Sequence, residues 1–171
     1  PERIRNWLAS HDRHVTLVSA TERPVPLEDM HLQGLPYQAP RSIKGFWPRL
    51  ATEVLMADMG PLLIFTPQRK GAEKIARQIA DALPIASSLA LSHAQEQSTD
   101  KALRKMLAKR VAYHHSGLSY ELRAGMIEPL ARAGQLSVIV ATMGLAAGIN
   151  FSVRSVFVAE STYQDGPYMH Q

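Results

Sequence analysis

Directly after the apolar run Val138-Ile139-Val140, the chain sets one hydroxyl (Thr142), two glycines (Gly144 and Gly148) and one side-chain amide (Asn150). Those residue types suit an anion: hydroxyl and amide donate hydrogen bonds, and glycine lets the backbone come close to a ligand. The β-branched run reads as a strand buried on both faces, and the polarity change at Thr142 marks its end. In open α/β sheets, ligands bind at the carboxyl ends of such strands.

Two more loops have the same character. Thr66-Pro67 follows the run Leu62-Leu63-Ile64-Phe65, and His115-Ser116-Gly117 follows Val111-Ala112-Tyr113-His114. Each places small or hydroxyl residues before a helix start, where free N–H groups and the helix dipole favour phosphate. Several such loops along one sheet edge suit a phosphodiester backbone. Thr66 also reads as a helix N-cap with Pro67 at N1, a structural role compatible with the first. His114 and His115 are neighbours on a strand and point to opposite faces, which argues against one shared metal ion.

The elements that must position these residues can be read in order. Ile4, Trp7 and Leu8 share helical spacing over 2–8, and 14–19 reads as a short strand, with a second extended segment over 25–32. Pro36, Pro40 and Pro48 make 34–48 an external loop, and a helix over 48–58 follows, burying Leu50, Val54 and Leu55. After Thr66-Pro67 a helix carries Ala72, Ile75, Ala76, Ile79 and Leu83 on one stripe, and Pro84 ends it. Residues 86–98 read as a flexible connection. The helix over 100–108 turns Leu103, Met106 and Leu107 inward and keeps Lys101, Arg104, Lys105 and Lys109 as a solvated basic face. A helix over 119–132 is expected to kink at Pro129, Gly134 closes it, and a last strand spans 155–159. Strands alternating with helices argue for a parallel sheet covered on both faces.

The 171 residues, 46% of them hydrophobic, suit one domain with a real core. No apolar run is long enough to span a membrane, and there is no cysteine for disulfides or thiolate metal sites. The cytoplasm is the default expectation. A net charge of +4 mildly favours a polyanionic partner. Because the chain begins at Pro1 and stops after a Gly-Pro pair, it is expected to be a piece of something longer.

His114-His115-Ser116-Gly117-Leu118 with Glu121 and Arg123, then Val140-Ala141-Thr142 through Leu145-Ala146-Ala147-Gly148-Ile149-Asn150, resembles the second RecA-like domain of superkiller-type DExH-box helicases. Leu63-Ile64-Phe65-Thr66 resembles motif IV of that family, 115–118 its motif IVa, and 140–150 its motif V. Arg23-Pro24-Val25-Pro26-Leu27-Glu28 matches its linker strand, and Asp165-Gly166 resembles a turn before motif VI. Ser19-Ala20-Thr21 spells motif III in the wrong place, and Glu28-Asp29-Met30-His31 is a scrambled acid box.

The resemblance implies an α/β, RecA-like three-layer sandwich with a mainly parallel central sheet. Residues 1–20 would end a preceding domain or linker, and 21–171 would be the second RecA-like domain, cut before motif VI. Thr66 and Thr142 would donate to phosphates of the tracking strand, with His115 and Gly117 along that backbone. Gly148 and Asn150 would face ATP, and Arg123 would support the loop. ATP and Mg2+ would be held mainly by the first RecA-like domain, because no phosphate-loop motif, Asp-Glu box or motif VI arginine is present. The full protein would then be an ATP-dependent helicase moving 3′ to 5′ on single-stranded or partly duplex nucleic acid, with RNA favoured over DNA, and the fragment alone would be inactive. The alternative is a nucleic-acid or protein-binding module that keeps the fold without a motor.

Overall fold

The computed structural model describes residues 2–11, 14–18, 26–84, 87–146, 152–159, 163–165 and 168–170. The chain divides into two compact units, Pro1–His31 and Leu32–Gln171. In the first, helix α1 (Glu2–Ala9) forms as its spacing requires but buries none of its residues. The strand expected over 14–19 is absent from 14–18, and 26–31 has no regular structure. An apolar alternation becomes a strand only where a partner strand satisfies its backbone groups. The motif III-like triplet and the first part of the linker lie outside the described residues.

The second unit holds a four-stranded, all-parallel sheet in the order β2-β3-β1-β4, formed by β1 (Leu62–Thr66), β2 (Val111–His114), β3 (Val138–Thr142) and β4 (Ser155–Val158). Its core lies under the central strands, where Leu62, Ile64, Val111, Val138, Ile139 and Val140 are almost wholly buried. Strand β4 is an edge strand and alternates between exposed and half-buried residues, as one-sided packing requires. Beyond it, β5 (Tyr163–Asp165) and β6 (Tyr168–His170) form an antiparallel pair that the sequence reading missed. The residues joining them, Gly166 of the expected turn included, are outside the described ones.

The connections place helices on both faces. The chain runs from β1 past β3 to β2, then back to β3, so right-handed crossovers put the two sets of helices on opposite sides. The first crossover contains α3 (Arg69–Ala82), α4 (His93–Gln97) and α5 (Lys101–Ala108). On α3, Ala72, Ile75, Ala76 and Ile79 are buried, and on α5 Leu103, Met106 and Leu107, as the stripes predict. Helix α2 (Phe46–Met56) begins two residues before the expected Pro48, and the preceding loop is anchored by Ala39 N–H donating to Glu53 Oε1 at 2.9 Å.

Two local expectations are corrected, and a third gains detail. Helix α4 occupies part of the supposed flexible connection, started by a capping box in which the Ser92 hydroxyl accepts from Gln95 N–H and the Gln95 side chain accepts from Ser92 N–H. Thr66 is the last residue of β1, and the N-cap of α3 is Gln68. The helix α6, 120–132, widens before Pro129, with a π-helical turn over Arg123–Ile127 in which Glu128 N–H reaches Arg123 O. A proline at 129 cannot donate to Gly125 and crowds that carbonyl, and the wider turn relieves the clash. The helix then ends as expected: Gly134, at φ 65°, donates to Ala131 O while Gln135 donates to Leu130 O, the double bond of a Schellman motif. Among the described residues no helix is long and apolar enough to cross a membrane.

Candidate nucleic-acid interface

Parallel pairing brings the three candidate loops to one edge of the sheet. In the register of β1 with β3, Thr66 stands directly opposite Thr142, each the final residue of its strand. The chain leaving β1 turns toward β2, and the chain leaving β3 turns the other way toward β4, so these neighbours form a topological switch point. A crevice at the carboxyl ends of such strands is the ordinary ligand site of an open α/β sheet. Thr66 is 5% exposed, and Thr142 is half-buried. A Cβ built on Gly71 would lie 3.1 Å from Thr66 Oγ1, so the glycine is what lets the first turn of α3 pass this hydroxyl.

The β2 loop is held from both faces of the sheet. His114 is 4% exposed, and its Nε2 lies 3.1 Å from Glu128 Oε1 on α6. His115 is 5% exposed and faces α3, where its Nε2 lies 3.0 Å from Glu73 Oε1. The opposite partners confirm that adjacent residues here point to opposite faces. Gly117 N–H donates to His115 Nδ1 at 3.1 Å, which fixes the neutral ring's proton on Nε2, facing Glu73. The Tyr113 ring stacks on that of His115 with centroids 5.5 Å apart. The side chain of His115, expected along a bound backbone, is therefore occupied inside the protein and braces the loop.

Burial pushes the His114 imidazole below its usual range, against the pull of the hydrogen bond and charge of Glu128. A lowered folded-state value means the unfolded chain binds this proton more readily. Stability is then fully present above about pH 6.5 and lost as the pH falls toward the folded-state value, by up to roughly 1.4 kcal/mol per pH unit for one proton. Thermal melts between pH 7.5 and 5 are expected to show this loss, and a smaller loss in His114→Gln. Equal slopes in the two proteins would remove the assignment.

Two residues of this edge escaped sequence reasoning. Arg69, the first residue of α3, donates from Nη2 to Ser116 Oγ at 2.9 Å, joining the β1 and β2 loops across the end of β3. Its Nη1 would lie 3.3 Å from a Cβ on Gly117, so that glycine accommodates its own neighbours. A basic residue just past a strand-to-loop turn was the available signal for Arg69, and a glycine inside a helical pattern was the signal for Gly71. Arg123 begins the π turn, and its charge acts on His114. Gly144 meets nothing within 4 Å of a built Cβ. Gly148 and Asn150, the expected ATP-facing pair, lie outside the described residues.

No family model matches the chain. The ATP-dependent DNA helicase Hel308 of Thermoplasma acidophilum is 34% identical over 166 residues, which cover 93% of this chain and 23% of that protein. The DExH-box ATP-dependent RNA helicase DExH14 of Arabidopsis thaliana is 29% identical over 174 residues, 95% of this chain and 8% of its own length. A solved structure of the helicase Lhr of Mycobacterium smegmatis, bound to ssDNA and AMP-PNP, aligns with 68% of this chain and 14% of its own, at 22% identity and a TM-score of 0.45. The chain thus spans about a quarter (23%) of the Hel308 relative it matches.

Proposed function

Because the chain is homologous to one segment of Hel308-type and DExH-box helicases, we propose that it supplies the strand-gripping half of a second motor domain in an ATP-dependent helicase. The observation that carries this reading is the pairing of Thr66 with Thr142 at the switch point of the sheet. Two hydroxyls one strand spacing apart are suited to phosphate oxygens of a single strand, and such contacts position a backbone without reading bases. Arg69 and Ser116 add a cation and a hydroxyl beside them, with His115 and Gly117 as the frame that holds the loop. Gly148 and Asn150 are proposed to face ATP, so that motif V touches strand and nucleotide at its two ends.

In this reading a first RecA-like domain of the same protein carries the phosphate loop and Mg2+, and closure around ATP shifts the grip along the strand in the 3′ to 5′ direction. RNA was the favoured substrate on the sequence alone. The names of the relatives divide, with a DNA helicase at 34% identity and an RNA helicase at 29%, so DNA becomes the preferred candidate. The test is ATP hydrolysis by the full-length protein with matched single-stranded DNA and RNA. Stimulation by DNA above RNA is expected. Strand binding with no hydrolysis under any condition would replace the motor with a binding module.

A further inference from the structure

A groove of about 670 Å³ opens beside Thr66 and runs along the outer face of α3, a size within the usual range of small-ligand sites. One wall is a helical stripe, Gly71, Lys74 and Gln78, which follow at the spacing of a single α-helical face. The other wall is the entry to α2, where Lys44, Phe46 and Trp47 line the opening. Phe46 is 52% exposed and meets Trp47 edge-on, with centroids 4.9 Å apart and planes at 80°.

The charges around this groove are unbalanced. Lys44 and Lys74 make no ion pair or hydrogen bond among the described residues, and the same holds for the amides of Gln68 and Gln78. The nearby carboxylates are already engaged: Glu73 holds His115, and Asp81 pairs with Lys105 at 3.0 Å. Free positive charge and free amide donors therefore flank the exposed Phe46 ring, with the half-buried Trp47 packed on the core beside it. An aromatic face takes a nucleobase, an ammonium acts as a point charge on phosphate, and an amide can serve base or sugar. An apolar peptide would find two bare lysines here, and a carboxylate ligand alone would leave the rings unused.

We infer that this groove is a second subsite for the single strand held at Thr66 and Thr142, taking one base on the exposed Phe46 ring beside Trp47 and its phosphate on Lys44 and Lys74. This rests on the strand-binding reading above. Thr66 lines both the switch-point crevice and the groove, so a strand leaving the crevice on the α3 side enters the groove directly. Because every base has a π-face, the subsite grips any sequence.

The chain has two tryptophans, so a Trp7→Phe background leaves Trp47 as the sole reporter. Short oligothymidylate is added while Trp47 emission and, with a labelled strand, fluorescence anisotropy are both followed. The expected result is saturable quenching of Trp47 with the same midpoint as the anisotropy. The Lys44→Ala/Lys74→Ala double variant, both positions exposed, should bind several-fold more weakly, with a salt slope shallower by roughly 0.7 per phosphate lost. Phe46→Ala should bind roughly tenfold more weakly. If anisotropy rises while Trp47 emission and the lysine variant stay unaffected, the groove subsite is overturned and the crevice reading stands. If no strand binds at all, both fall. If thymidine monophosphate quenches Trp47 at the same concentrations as the oligonucleotide, the groove takes a free nucleotide and the strand subsite is overturned.

Discussion

Replacing Thr142 by alanine is expected to weaken single-strand binding by the full-length protein roughly tenfold to a hundredfold, because one hydrogen bond to a charged group is worth about 1.5–3 kcal/mol. Nucleic-acid-stimulated ATP hydrolysis and unwinding should fall with it, while hydrolysis at saturating strand should recover in part. Thr142→Ser keeps the hydroxyl and should stay close to the parent. The residue is half-buried at the end of β3, so the small deletion leaves the sheet intact. The reading fails if Thr142→Ala matches the parent in strand affinity and stimulated hydrolysis, because no other side chain of β3 reaches the same place opposite Thr66.

A second large effect belongs to the scaffold. Ile139 is 1% exposed and lies in the middle of β3, in register with Leu63 on one side and Ala112 on the other. Ile139→Ala is expected to cost about 2–5 kcal/mol, since the cavity cannot collapse between two strands and their helices. Against a total of roughly 5–15 kcal/mol, that change moves the urea midpoint far down. Val156→Ala on the edge strand β4, where the side chain is 55% exposed, should change stability by roughly 0.5 kcal/mol or less. Similar midpoints for the two variants would contradict the placement of the core.

The central strands and long helices were legible because each has a strong local signal. Val138-Ile139-Val140 is a run that only a two-sided core tolerates, and Ala72, Ile75, Ala76 and Ile79 hold a 3.6-residue period. Ser92 and Gln95 also carried a local signal, the capping box, which composition rich in Ser, Ala and Gln obscured. The π turn at Arg123–Ile127 was half legible: Pro129 announces a defect in the hydrogen-bond ladder but does not say whether the helix bends or widens. Strand order was beyond local reading, because pairing β1 with β3 joins residues far apart in the chain.

The site divides in the same way. Thr66 and Thr142 could each be picked out as a hydroxyl at a strand end, but their opposition across one register step is a property of the sheet. Arg69 bonds Ser116 across 47 residues of sequence, and nothing in either segment names the other. His115 could be recognised as part of a motif, but its stacking on Tyr113 and its bonds to Glu73 and Gly117 are visible only in the folded chain.

The absence of cysteine from the chain allows the central claim to be tested at a single atom. In Thr142→Cys of this 171-residue chain the introduced thiol is the only one, and it can be challenged with an oligonucleotide carrying a disulfide tether on one backbone phosphate. Lys101→Cys, on the exposed start of α5, serves as the comparison. If the carboxyl ends of β1 and β3 grip the strand, Thr142→Cys captures the tethered phosphate quickly, Lys101→Cys does so slowly, and untethered strand competes only at the first. Equal capture at both positions, or capture at Thr142→Cys that excess strand does not suppress, would contradict the account.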